Sequence, residues 1–193
     1  MKWILSVIVI LLIFSGCVPM SLLMGPEIQP KGTVKHAVGM DLLVGFNEAI
    51  VVPWTFQYLA RVGLTDYVEA SFRAALPSIL ISSPSITLEG GVKFGVPGFS
   101  NLALLTSGGF FFLSKSGNNE TLFEPYMRIA PIVGFKIMDW TIAAKLQLFV
   151  ASEVAFIPGI SVNNGRFYFD IDFPLVGGTT IPDGGLIGIG YAF

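Results

Sequence analysis

The chain has 193 residues, 53% of them hydrophobic and only 12% charged, with a mean hydropathy of +0.73 and a formal net charge of −2. Soluble domains carry about twice that charged fraction, one domain is the default for this length, and the absence of any basic run gives nucleic acid nothing to bind. A single cysteine, Cys17, and a single histidine, His36, exclude an internal disulfide and a Cys/His metal cluster.

Residues 1–17 read MKWILSVIVILLIFSGC. Lys2 is a minimal positive head, Ile4–Phe14 is apolar except for Ser6, and Ser15-Gly16 are small. The apolar run is too short for a bilayer helix, which needs about 20 residues. It fits a signal helix over residues 1–16, removed at the small residues. Phe14-Ser15-Gly16-Cys17 resembles the lipobox of bacterial lipoproteins, departing from it at Phe14, where leucine is usual. The resemblance implies that Cys17 is acylated, with palmitate the expected label. Val18 follows it rather than Asp, as in lipoproteins sent to the outer membrane. Residues 17–32, with three prolines and two glycines between 18 and 32, read as a lipid-anchored irregular tether.

From residue 33 onward the hydrophobic period is two, which predicts strands. Candidate strands cover 33–46, 50–62, 66–76, 84–95, 100–113, 123–138, 140–156, 165–174 and 184–193. In the stretch 67–76, Glu69, Ser71 and Arg73 alternate with Val68, Ala70, Phe72 and Ala74. In 85–95, Thr87, Glu89 and Lys93 oppose Ile86, Leu88, Val92 and Phe94. Further on, Glu124 and Arg128 alternate with Met127 and Ile129, Lys145 with Leu146, and Asp170 and Asp172 with Phe169 and Ile171.

The charges follow this alternation. Of 24 charged residues, fifteen fall on the one polar strand face: Lys35, Asp41, Arg61, Glu69, Arg73, Glu89, Lys93, Glu124, Arg128, Lys136, Lys145, Glu153, Arg166, Asp170 and Asp172. The other nine fall in the signal, the tether or turns. A soluble sandwich alternates too, but with strands of about 5–6 residues. Most here run about 10–14, enough to cross a membrane at a tilt of ~45°. Unpaired strand edges cannot face lipid, so the sheet must close. The expectation is an all-β, closed, antiparallel up-and-down transmembrane β-barrel, apolar outside and polar within. Ion pairs among Arg61, Glu69, Arg73, Glu89, Lys93, Glu124, Arg128, Lys145, Asp170 and Asp172 are expected to fill its lumen.

Short turns are expected at 63–66, 95–100 and 138–140, on the periplasmic side, with longer loops near 46–50, 77–84, 114–122 and 175–184 outside. Nine strands cannot return both ends to one side. Either one segment does not span, giving eight strands, or 140–162 folds back on itself, giving ten. Trp54, Phe56 and Tyr58 share an outward face, and Phe94, Trp140, Phe173, Tyr191 and Phe193 lie near strand ends, as aromatic belts do.

Residues 33–193 resemble the small bacterial outer-membrane β-barrel proteins, on the alternation, the turn after Tyr58–Val62 and the closing Tyr191-Ala-Phe193. The resemblance implies residence in the bacterial outer membrane, and Tyr191 and Phe193 as part of the signal read by the barrel-assembly machinery. The lipid anchor is expected on the periplasmic side, with outer-membrane lipid as the other partner. No GxSxG, HExxH or P-loop pattern occurs. His36, the base a serine triad would need, shares parity with Val34 and Val38 on the lipid face. The reading is a non-enzymatic barrel lipoprotein without cofactor or metal, structural or surface-interacting in role. The alternative is a barrel that binds a small ligand or forms a narrow transport pore.

Overall fold

A computed structural model describes residues 21–45, 50–77, 85–114, 121–151, 154–176 and 184–193. The expected signal helix, Cys17, Glu153 and the side chain of Trp54 lie outside the described residues. The strands are β1 (Val34–Gly45), β2 (Ile50–Thr65), β3 (Val68–Pro77), β4 (Ser85–Val96), β5 (Phe99–Ser114), β6 (Thr121–Ile137), β7 (Trp140–Val150), β8 (Val154–Asn163), β9 (Phe167–Asp172), β10 (Leu175–Val176) and β11 (Gly184–Ala192). No helix occurs among the described residues.

Each strand from β1 to β9 pairs antiparallel with the next, and β11 pairs with both β9 and β1. The sheet therefore returns to its first strand, and every stave has a neighbour on each side. β10 continues β9 along β8, after a break at Phe173-Pro174. Counting the two as one stave, this is a closed up-and-down barrel of ten staves. Of the two expected counts, ten is correct, and the added stave arises where the chain between 140 and 162 doubles back.

The single strand expected over 140–156 is thus two, β7 and β8, in register from Thr141↔Asn163 to Val150↔Val154. Pro158 and Gly159 in the middle of β8 disguise it, because proline cannot donate to a ladder. The barrel places this defect where it costs least. The Pro158 carbonyl accepts from the Phe173 N–H at 2.9 Å, and the bond Pro158 cannot return falls at the break between β9 and β10.

The turn expected at Gly63–Asp66 also lies further on. β2 continues through Thr65 past an irregularity after Gly63, and Asp66-Tyr67 makes the reversal. Short reversals also join β4 to β5 at Pro97-Gly98, β6 to β7 at Met138-Asp139, and β8 to β9 at 164–166. All four lie at one mouth, with the start of β1. At the other mouth the connections are 46–49, 78–84, 115–120, 151–153 and 177–183, mostly longer. Short turns at one end and long loops at the other are the pattern of outer-membrane barrels.

Neighbouring residues show the sidedness. Met127 is 62% exposed and Arg128 1%; Phe72 is 48% exposed and Arg73 2%. Outward, at the turn mouth, the His36 Nδ1 lies 2.6 Å from the Tyr58 hydroxyl, and its ring stacks on Tyr58 and Phe193. Two members of the expected polar row, Arg166 and Lys136, keep its parity but are exposed at this same mouth.

Candidate functional site

Barrel diameter grows with strand number, and eight strands leave room for little beyond their own side chains. Ten leave room for one extended chain, and the protein supplies it. Residues 21–26 run buried inside the barrel as an irregular strap, which 27–30 continue to the turn mouth with Glu27 and Pro30 exposed. Ser21, Leu22 and Leu23 are fully buried, and Met24 is 1% exposed. The two leucines and Met24 form one core with Leu59, Leu105, Ile132 and Tyr168 of the wall. The lumen is therefore not filled by ion pairs alone. An apolar strip of the tether occupies its axis, and the charges lie around it.

Ser21, the first described residue, lies at the level of Asp41, and its hydroxyl hydrogen-bonds to the Asp41 carboxylate. It ends at the turn mouth, where Gly32 N–H donates to the Gly63 carbonyl and Gly63 N–H to that of Thr33. Space for it is cut by glycines on the inward face. A Cβ at Gly188 would overlap Ser21, one at Gly39 would overlap Leu23, one at Gly134 would lie 2.9 Å from Pro26, and one at Gly95 would lie 2.8 Å from Ile28. The glycines follow the strap down the wall.

The charged side chains form three groups. At the turn side, the Lys93 ammonium lies 3.2 Å and the Arg61 guanidinium 3.8 Å from the Glu69 carboxylate. Arg61 also donates to the Tyr168 hydroxyl at 2.7 Å and lies over its ring. On β3 to β6, Glu89 takes Arg128 at 3.2 Å, Arg73 at 3.8 Å and a hydrogen bond from the Tyr126 hydroxyl at 2.7 Å. On β7 and β9, Lys145 sits between Asp170 at 2.9 Å and Asp172 at 3.1 Å. Glu124 lies half-buried nearer the loop mouth.

Members of each group also hold the strap by its backbone. Arg73 donates to the Leu22 carbonyl at 2.7 Å, and Lys93 to those of Gly25 and Glu27 at 3.2 and 2.7 Å. The Leu23 N–H donates to Asp170 at 2.8 Å and the Gln29 N–H to Glu69 at 2.9 Å. Polar groups buried away from water must be paired in this way, so strap and wall satisfy one another. The arrangement offers no bound metal its ligands: among the described residues no three His, Cys, Asp or Glu side chains cluster for one.

Three inward-facing participants fall outside the expected set of ion pairs. Asp41 accepts from Ser21, Thr55 and Gln57, so its partners are neutral. Thr141 donates to Glu27 of the strap, and Tyr126 closes the Glu89 group. The signal available for them was their inward parity.

A closed ten-stave barrel with an apolar exterior and a charged interior is an outer-membrane-type β-barrel. No family model and no curated protein matches the chain. Among solved structures, the crystal structure of the N-terminal β-barrel domain of Pseudomonas aeruginosa OprF is similar, at 14% identity and a TM-score of 0.34, covering 86% of this chain and 100% of that one.

Proposed function

We propose that the chain is a non-enzymatic outer-membrane lipoprotein, acylated at Cys17, whose barrel has a structural or surface-interaction role and does not conduct. The observation that carries this is the strap, fully buried at Ser21–Leu23 along the lumen axis. It supports a closed barrel over the small-ligand alternative, because the space a ligand would take is occupied by the protein itself. The buried ion pairs around it suit a structural lumen: replacing one partner of a buried pair leaves an uncompensated charge. The outward aromatics at the turn mouth suit a membrane boundary, and Tyr191 and Phe193 among them suit the assembly role the sequence suggests.

Cys17 precedes Ser21 by four residues, which extend to about 14 Å at most. Ser21 lies at Asp41, well along β1 from the turn mouth, with the strap filling the lumen below it. This supports an anchor at the loop mouth, against the periplasmic side that the sequence alone suggests.

Two measurements test the reading. The purified protein in planar bilayers is expected to give no conductance steps; regular steps from the intact chain refute the closed lumen. Palmitate labelling is expected in the wild type and absent in Cys17→Ala; labelling that persists in the variant refutes the lipobox.

A further inference from the structure

We infer that the lumen is a binding site for an extended peptide, that residues 21–30 are its resident ligand, and that the barrel becomes an ion-conducting pore once a cut between Lys31 and β1 frees this ligand to leave through the loop mouth. The inference rests on the reading of the chain as a closed membrane barrel and goes beyond it by making the closure reversible.

Three observations carry it. First, the ten staves close through their own ladders, and among the described residues the strap end meets the wall backbone at Gly63, at the mouth. Second, the wall grips the strap as a protein grips a bound peptide. Arg73, Lys93, Asp170 and Glu69 take its carbonyls and N–H groups, while Leu22 and Leu23 fill an apolar pocket. Backbone recognition with a few side-chain anchors is how extended segments are bound elsewhere. Third, the strap is held in a shape it does not prefer. Leu23 has φ 49°, in the left-handed region that a leucine adopts only when its surroundings impose it. The conformation therefore favours release and the contacts favour retention. Release uncovers the apolar wall that Leu22 and Leu23 cover, and it also frees Arg73, Lys93, Glu69 and Asp170, whose charges water hydrates readily and which would line the vacated lumen for ions.

The test uses the chain lacking residues 21–30, inserted in planar bilayers, with heat-modifiable gel migration as the check that the barrel has closed. Conductance steps are expected where the intact chain gives none. The synthetic peptide SLLMGPEIQP is expected to block them saturably, and the same peptide carrying Leu22→Asp and Leu23→Asp is expected to lose at least ten-fold in blocking potency. A closed, inserted barrel that stays silent overturns the inference, as does conductance that the peptide leaves unchanged. If the deletion variant does not close, the full chain with a protease site between Lys31 and Gly32 is folded, cut and washed in mild denaturant. Release of the strap with onset of conductance is then the supporting result, and release without conductance, or no release short of unfolding, is the overturning one. Conductance from the uncut, intact chain counts instead against the closed barrel of the proposed function.

Discussion

Lys145 and Asp172 stand two staves apart, and Gly159 is the residue in register between them. The ammonium crosses this gap to reach the carboxylate at 3.1 Å. A Cβ at Gly159 would overlap the Asp172 carboxylate and come within 2.8 Å of the Lys145 chain. Gly159→Val is therefore expected to separate the pair and leave both charges buried. Breaking a buried pair costs about 3–5 kcal/mol, which should appear as a lower urea midpoint for the loss of heat-modifiable migration. Gly90 supplies the contrast, with no atom within 4 Å of its Cβ position. Gly90→Ala should change the midpoint by less than about 0.5 kcal/mol, as surface substitutions do. Equal effects at both positions would show that the loss belongs to glycine in strands generally and not to the ion pair.

Residues 72 and 73 give the sharpest test of sidedness. Arg73 is buried at 2% exposure on Glu89 and the Leu22 carbonyl, while Phe72 beside it is 48% exposed. If the exterior is lipid, Phe72→Arg places a cation in hydrocarbon, at about 2–4 kcal/mol near the midplane. In a soluble barrel the same change would be neutral or would aid solubility. The measurement is the folding yield into phospholipid vesicles beside that of the wild type; undiminished yield would contradict the membrane reading at this depth.

Lys93 joins the wall to the strap more directly than any other cation, through Glu69, the Gly25 carbonyl and the Glu27 carbonyl. Lys93→Met keeps the chain length and removes all three bonds, leaving Glu69 with Arg61 at 3.8 Å. The expected outcome is a barrel destabilised by about 3–5 kcal/mol, in which limited proteolysis cuts within 21–30 under conditions that leave the wild type whole. A variant destabilised without new cleavage there would separate the role of Lys93 in the wall from its hold on the strap.

The wall was legible in the sequence because a period of two survives every local irregularity. Arg61, Glu69, Arg73, Glu89, Lys93, Arg128, Lys145, Asp170 and Asp172 all carry the inward parity and are all buried. Who pairs with whom was not legible, because it depends on register, and register on bulges such as the one after Gly63. β8 was hidden by Pro158 and Gly159, residues that ordinarily end a strand but here meet a break and an ion pair. The strap was invisible for a different reason. Ser21-Leu-Leu-Met24 is too short to show a period, and its prolines and glycines read as a tether. Its trace lay instead in the wall, where Gly39, Gly134 and Gly188 stand at inward positions that would otherwise carry side chains.

The direction of the strap makes a prediction about membrane topology. The chain passes from Ser21, beside Asp41, down to Lys31 beside Gly63, and only then turns into β1. The described strap occupies the lumen toward the turn mouth, so the segment before Ser21 is expected to be reached from the loop mouth. An epitope tag inserted between Pro19 and Met20 is expected to bind antibody on intact cells. A tag in the 115–120 loop should behave in the same way, and one in the Met138-Asp139 turn should be reached only after permeabilisation. If the first tag needs permeabilisation while the two controls behave as stated, the strap runs the other way and the anchor lies in the periplasm. If the controls themselves are exchanged, the barrel sits inverted in the membrane and the sense of the strap within it still stands.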